Sequence, residues 1–152
     1  MHGGRDLLRD KALVGSVLAA PVFWAALRVW GHGSLDATWP FRAPIFFFSA
    51  AVVYPVLEEI VFRGVVQPFF LRFQVGKKRW QGFTLANIGA SAVFAVAHLV
   101  SHSPPWAAAT FLPSLVFGYF RDRDGSLRIP IALHIYYNAG YFLLFSGAPS
   151  GS

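Results

Sequence analysis

The sequence predicts an all-α, polytopic transmembrane bundle of about five membrane helices around a polar intramembrane site. Three observations predict it. Hydrophobic residues make up 55% of the 152 and charged residues only 13%, about half the charged share of a globular domain. The apolar residues gather into five runs, each near the roughly 20 residues that a spanning helix needs. Basic residues fall between these runs and mostly on one side of them. The mean hydropathy of +0.50 agrees.

The first run, 11–30, follows Arg5, Arg9 and Lys11 as a signal peptide's apolar core would. It is long enough to span and shows no small-residue cleavage site, so it reads as a retained helix. The second, 44–70, is PIFFFSAAVVYPVLEEIVFRGVVQPFF, apolar on either side of three formal charges. The third, 82–100, ends near His98. The fourth, 105–120, begins at Pro104–Pro105, and the fifth, 129–146, contains IPIALHIYYNAGYF. The connections GHGSLDATWPFR, RFQVGKKRWQ, SHSPP and RDRDGSLR are rich in turn residues or charge. One integral membrane domain, 1–152, accounts for the length.

Alternation of five helices places Arg5, Arg9, Lys11, Arg72, Lys77, Lys78, Arg79, Arg121, Arg123 and Arg128 on one side. Only Arg28 and Arg42 fall on the other. This ten-to-two split is a positive-inside signal that puts the N-terminus in the cytoplasm and the C-terminus outside. It explains the net charge of +6 without nucleic acid, for which the basic residues form no stripe; the expected partner is the lipid bilayer. The absence of Cys excludes disulfides, thiolate metal sites and cysteine nucleophiles. Trp24, Trp30, Trp39, Trp80 and Trp106 lie near predicted helix ends and read as interfacial anchors. Gly64, Gly89 and Gly118 read as close-packing positions between helices.

Charge at membrane depth costs about 2.5–3.5 kcal/mol per central Asp, Lys or Arg, and such residues are usually functional. Glu59 and Arg63, four apart, can pair along one helix face, whereas Glu58 points about 100° away and has no counter-ion within the helix. His134 and Asn138 are also four apart and share a face. The economical arrangement is one cluster of Glu58, Glu59, Arg63, His98, His134 and Asn138. At about 1.5 Å per residue, Glu58 lies roughly 20 Å along from Pro44 but His134 only about 8 Å from Ile129. Tilt, helix ends or a kink at Pro55 must absorb that difference.

Three chemistries suit this set. In the first, a carboxylate without a paired cation takes a proton from water. Glu58 fits that role, with His98 orienting the water and His134 and Asn138 donating to a developing oxyanion. The second is a metal site with Glu and His ligands, Glu58, His98 and His134, and an open position for water. The third is a proton or ion relay in a transporter. A small transporter or an immunity-type binding partner is the non-catalytic alternative.

EEIVFRG resembles the EExxxR motif of the CPBP intramembrane proteases, the group of the Rce1-type CAAX prenyl endopeptidases and bacterial Abi proteins. SAVFAVAHL is similar to that family's FxxxH motif at Phe94 and His98, and HIYYNA to its HxxxN motif at His134 and Asn138. The motifs stand in the family's order over about 44–145. The resemblance implies an integral protein of the bacterial inner (cytoplasmic) membrane that hydrolyses a peptide bond near the C-terminus of a protein or peptide substrate at the membrane. Sorting-signal-bearing surface proteins are one such substrate class. It implies that Glu58 and His98 activate water, that His134 and Asn138 form the oxyanion hole, and that Glu59 and Arg63 brace the site. The family has been described as metal-dependent and as glutamate-based. Without HExxH the glutamate type is favoured, with no cofactor, over a zinc enzyme.

Overall fold

The structure is a computed structural model that describes residues 9–29 and 38–145. Arg5, Trp30 and the predicted end of the last helix at Ser146 lie outside the described residues. Each of the five apolar runs is helical over most of its described residues. Helix α1 is Lys11–Val29, α2 Trp39–Arg42 and α3 Pro44–Leu71. A short helix α4, Gln74–Lys77, leads to a hairpin of β1, Arg79–Trp80, and β2, Phe83–Thr84. Helices α5, Leu85–His98, α6, Pro104–Ala109, α7, Phe111–Asp124, and α8, Arg128–Leu144, complete the chain. The residues fall into two compact units, one of residues 54–134 and one of residues before 54 and after 134.

Among the described residues, α3 alone is both long and apolar enough to cross a membrane; α1 and α5 are shorter apolar helices. The predicted third and fourth spans are interrupted, each for a local reason. Gln81 and Gly82 both have positive φ, 50° and 87°, which is the backbone of a two-residue hairpin turn. Phe83–Thr84 is therefore extended, and Thr84 Oγ accepts the Asn87 N–H at 3.0 Å, so α5 begins at Leu85 rather than at 82. The run 105–120 divides at Thr110, because Pro113 has no N–H and its ring crowds the carbonyl four residues earlier. Helix α7 continues through Arg121–Asp124 and stops at Gly125, whose φ of 65° suits glycine and whose N–H returns to the Arg121 carbonyl at 3.0 Å.

Helix α3 contains two five-residue π turns, Ser49–Val53 and Phe62–Val66. Each ends two residues before a proline, Pro55 or Pro68. A proline ring in a regular α-helix meets the carbonyl of residue i−4. Here those residues are Ala51 and Gly64, each at the middle of a π turn, where the wider turn makes room.

The exposure of α3 is inverted relative to a soluble core helix. Only 22% of its most apolar window is buried, and Phe48, Leu57, Ile60, Val61, Val65 and Phe69 are all exposed. Its fully buried side chains include the polar Glu59, Arg63 and Gln67 beside the small Ala51 and Pro55. Apolar outside and polar inside is the arrangement a hydrocarbon solvent favours.

In the 54–134 unit, α3 and α7 run parallel, joined by a ladder of polar groups. Arg63 Nη2 donates to the Ser114 carbonyl at 2.8 Å and to Ser114 Oγ. Gln67 Nε2 donates to the Gly118 carbonyl at 3.0 Å and to Asp122 Oδ1 at 2.6 Å. Both partner sets advance by four residues. A four-residue repeat drifts by about 40° per step on an α-helix, and the wider π turn over 62–66 offsets that drift. Glu59, Arg63 and Gln67 therefore stay on one line.

Gly118 packs against the buried Asn87, whose carboxamide donates to the Leu115 carbonyl at 3.0 Å and accepts from Ser91 Oγ at 3.2 Å. A methyl at 118 would overlap that pinned group. Gly118→Ala should destabilise the protein by about 1–3 kcal/mol, measured as a lowered unfolding temperature in detergent. Gly89 is similarly close to the Phe70 ring, 3.3 Å from an added Cβ, whereas Gly64 meets Leu127 only at an ordinary 3.6 Å.

In the other unit, Trp39 is 4% exposed, ringed by Phe46, Phe47 and Phe142, and donates from Nε1 to the Phe142 carbonyl. It is a packed core residue and not an interfacial anchor, because its indole N–H has a backbone acceptor inside the protein. Trp24 lies edge-on to Tyr136 and fills the space over Gly140. Trp80 is 65% exposed.

Candidate active site

Glu58 and Glu59 are adjacent on α3 and face different surroundings. Glu59 is fully buried, and its Oε1 receives two donors: Arg63 Nη1 at 2.9 Å and His134 Nδ1 at 2.8 Å. The ion pair expected from the i, i+4 spacing is formed. A carboxylate only accepts, so His134 carries its proton on Nδ1 and turns Nε2 the other way. There Nε2 lies 3.5 Å from Glu58 Oε2. The imidazole thus spans the two carboxylates. The Glu58 side chain keeps 31% of its exposure, against 0% for Glu59. Glu58 is thus open on one side, and Glu59 is enclosed.

Aromatic rings fix the geometry. Phe117 stacks on His134, with centroids 4.8 Å apart and planes 24° apart. The Arg63 guanidinium lies 5.0 Å from the Phe94 centroid and 5.4 Å from that of Phe117. Cation–π attraction and the Ser114 hydrogen bonds together offset the burial of a charge that is only 1% exposed. Of the two Glu59 oxygens, Oε2 is buried without a hydrogen-bond partner.

His98, the last residue of α5, uses Nδ1–H to donate to the Phe94 carbonyl at 2.9 Å, which leaves Nε2 as a free acceptor. Phe94 separates it from His134: the Phe94 ring is 4.4 Å from His98 and 5.9 Å from His134. Glu58, Glu59, Arg63 and His134 thus come together directly, while His98 joins them across one ring. Asn138 belongs to the other unit, where its Nδ2 donates to the Ala50 carbonyl at 3.2 Å. Among the described residues, no three His, Asp, Glu or Cys side chains are arranged to hold a metal ion, so Glu58, His98 and His134 do not form a ready ligand set.

Sequence reading missed Ser114, Phe117 and Gln67, which anchor the cluster. A signal was available in the four-residue series Glu59–Arg63–Gln67 and Ser114–Gly118–Asp122.

A family model described as type II CAAX prenyl endopeptidase Rce1-like matches residues 40–140, about two thirds of the chain. The chain belongs to this family. Comparisons with curated proteins and with solved structures give no match. The matched region contains Glu58, Glu59, Arg63, Phe94, His98, His134 and Asn138. Membership in a family of membrane proteases accords with the outward apolar face of α3.

Proposed function

We propose that this protein is an intramembrane endopeptidase of glutamate type, cleaving near the C-terminus of a membrane-associated protein. The observation that supports it best is the division between adjacent carboxylates: Glu59 is sealed by Arg63 and His134, and Glu58 is half-open beside His134 Nε2.

Glu58 takes a proton from water, and the oxygen attacks the scissile carbonyl carbon. His134 keeps its Nδ1–H on Glu59, while its Nε2 takes the water proton from Glu58, donates it as a hydrogen bond to the oxyanion, and returns it to Glu58 as the intermediate collapses. By its place in the HxxxN motif, Asn138 is the second oxyanion donor of this reading. Glu58 then passes its proton to the leaving nitrogen as the C–N bond breaks. Water is thereby divided between the two products. His98 offers its free Nε2 to the attacking water. The proposed frame is the five-span topology with a cytoplasmic N-terminus, in the bacterial inner membrane.

Quantitative mass spectrometry of membrane and surface proteins, from cells with the wild-type protein or with Glu58→Gln, tests this reading. Defined new C-termini in the wild type alone are expected; identical termini in both would overturn it and favour a transporter or binding partner. Stoichiometric zinc in the active protein, lost together with activity on chelation, would overturn the glutamate type.

A further inference from the structure

The second π turn creates a backbone problem that one side chain solves. The Gln67 N–H, which in an α-helix would serve the Arg63 carbonyl, is bonded instead to Phe62. In the π register the donor for Arg63 is the amide of residue 68, and residue 68 is proline, which has none. The Arg63 carbonyl is therefore left without a backbone partner. Arg121 Nε, from α7, donates to it at 3.0 Å.

The same device recurs in the other unit. Ala50 lies in the first π turn, five residues before Pro55, and its carbonyl receives Asn138 Nδ2 at 3.2 Å. Two π turns, two prolines at the same offset and two side-chain donors on the carbonyls those prolines deprive make a pattern, not a chance contact.

We propose that Arg121 is a positioning residue, whose hydrogen bond to the Arg63 carbonyl maintains the π turn that aligns Arg63 with Glu59 and α7. The chain of contact runs from Arg121 to the Arg63 backbone, from the Arg63 guanidinium to Glu59, and from Glu59 to His134 and Glu58. Arg121 touches no reacting atom. Its importance to catalysis rests on the proteolytic reading; its hold on the π turn does not.

The test is a cycle of Arg121→Ala, Pro68→Ala and the double variant, followed by amide hydrogen exchange across 62–71 in detergent. Arg121→Ala leaves a carbonyl unpaired and should speed local exchange about tenfold or more. In the double variant residue 68 has an N–H that can serve the Arg63 carbonyl, so exchange should return close to the wild-type rate. Arg121→Lys, which keeps a donor, should restore part of the protection. Wild-type exchange in Arg121→Ala, or equal exchange in Arg121→Ala and the double variant, would overturn the proposal. If Arg121→Ala is too unstable to purify, recovery of folded double variant supports the proposal and failure to recover it overturns it.

With a cleavable substrate, Arg121→Ala should lower kcat while KM stays unchanged. An exchange cycle that closes as described, with no peptide cleavage by the wild type, would reject the protease reading and leave the role in the π turn standing.

Discussion

Glu58→Gln should lower the rate of peptide cleavage by about 10²–10⁴-fold, the usual contribution of a positioned general base, and leave the fold intact. The substitution keeps the shape of the side chain and removes only its capacity to take a proton. It disturbs little else, because Glu58 is 31% exposed and lies 3.5 Å from its neighbour His134 rather than within a close hydrogen bond. The unfolding temperature should therefore be nearly that of the wild type, as for a surface change of about 0.5 kcal/mol or less. Full activity in Glu58→Gln would remove Glu58 as the base. Loss of activity together with loss of fold would show it to be a structural residue. The adjacent Glu59→Gln should behave in the opposite manner, losing stability first, since its Oε1 serves both Arg63 and His134.

Local rules made parts of this site legible. The i, i+4 spacing of Glu59 and Arg63 predicts their ion pair, and the ends of α3 follow from one long apolar run between turn-rich segments. Tertiary partners were not legible in the same way. No spacing within α8 announces that His134 Nδ1 will meet Glu59 on α3, or that Phe117 will stack on its ring. Hydropathy also hid backbone detail. The run 82–100 looks continuous, but positive φ at Gln81 and Gly82 folds its start into a hairpin, and Pro113 divides the next run. A kink at Pro55 is one of three adjustments the sequence admits, whereas in the structure a π turn precedes both Pro55 and Pro68.

That ladder has a consequence for how the protein is held together. Lipid-like surroundings give little drive to bury the apolar face of α3, whose large side chains remain outward. Association of α3 with α7 then depends heavily on Arg63 and Gln67 reaching the Ser114 and Gly118 carbonyls, Ser114 Oγ and Asp122. Thr84 adds a further tie, donating to the second Asp122 oxygen at 2.7 Å while capping α5. The site and the helix contacts are built from the same polar groups.

Arg63→Met should accordingly be the most destabilising single change, by about 3–5 kcal/mol, because it leaves the Glu59 carboxylate buried with one partner fewer and deprives Ser114 of its donor. The loss is expected as a fall in the midpoint of denaturant unfolding, followed by intrinsic fluorescence. Methionine fills most of the space between Phe94 and Phe117, so the loss reports charge and hydrogen bonding more than volume. Removing the charge from both partners should cost much less. In the double variant Glu59→Gln/Arg63→Met, a neutral carboxamide still accepts from His134 Nδ1 and no unpaired ion remains. Most of the stability should return, with a coupling of about 0.5–3 kcal/mol between the two positions. A double variant as unstable as the sum of the singles would show that Arg63 holds α7 through Ser114 alone, and that its pairing with Glu59 contributes nothing to the fold.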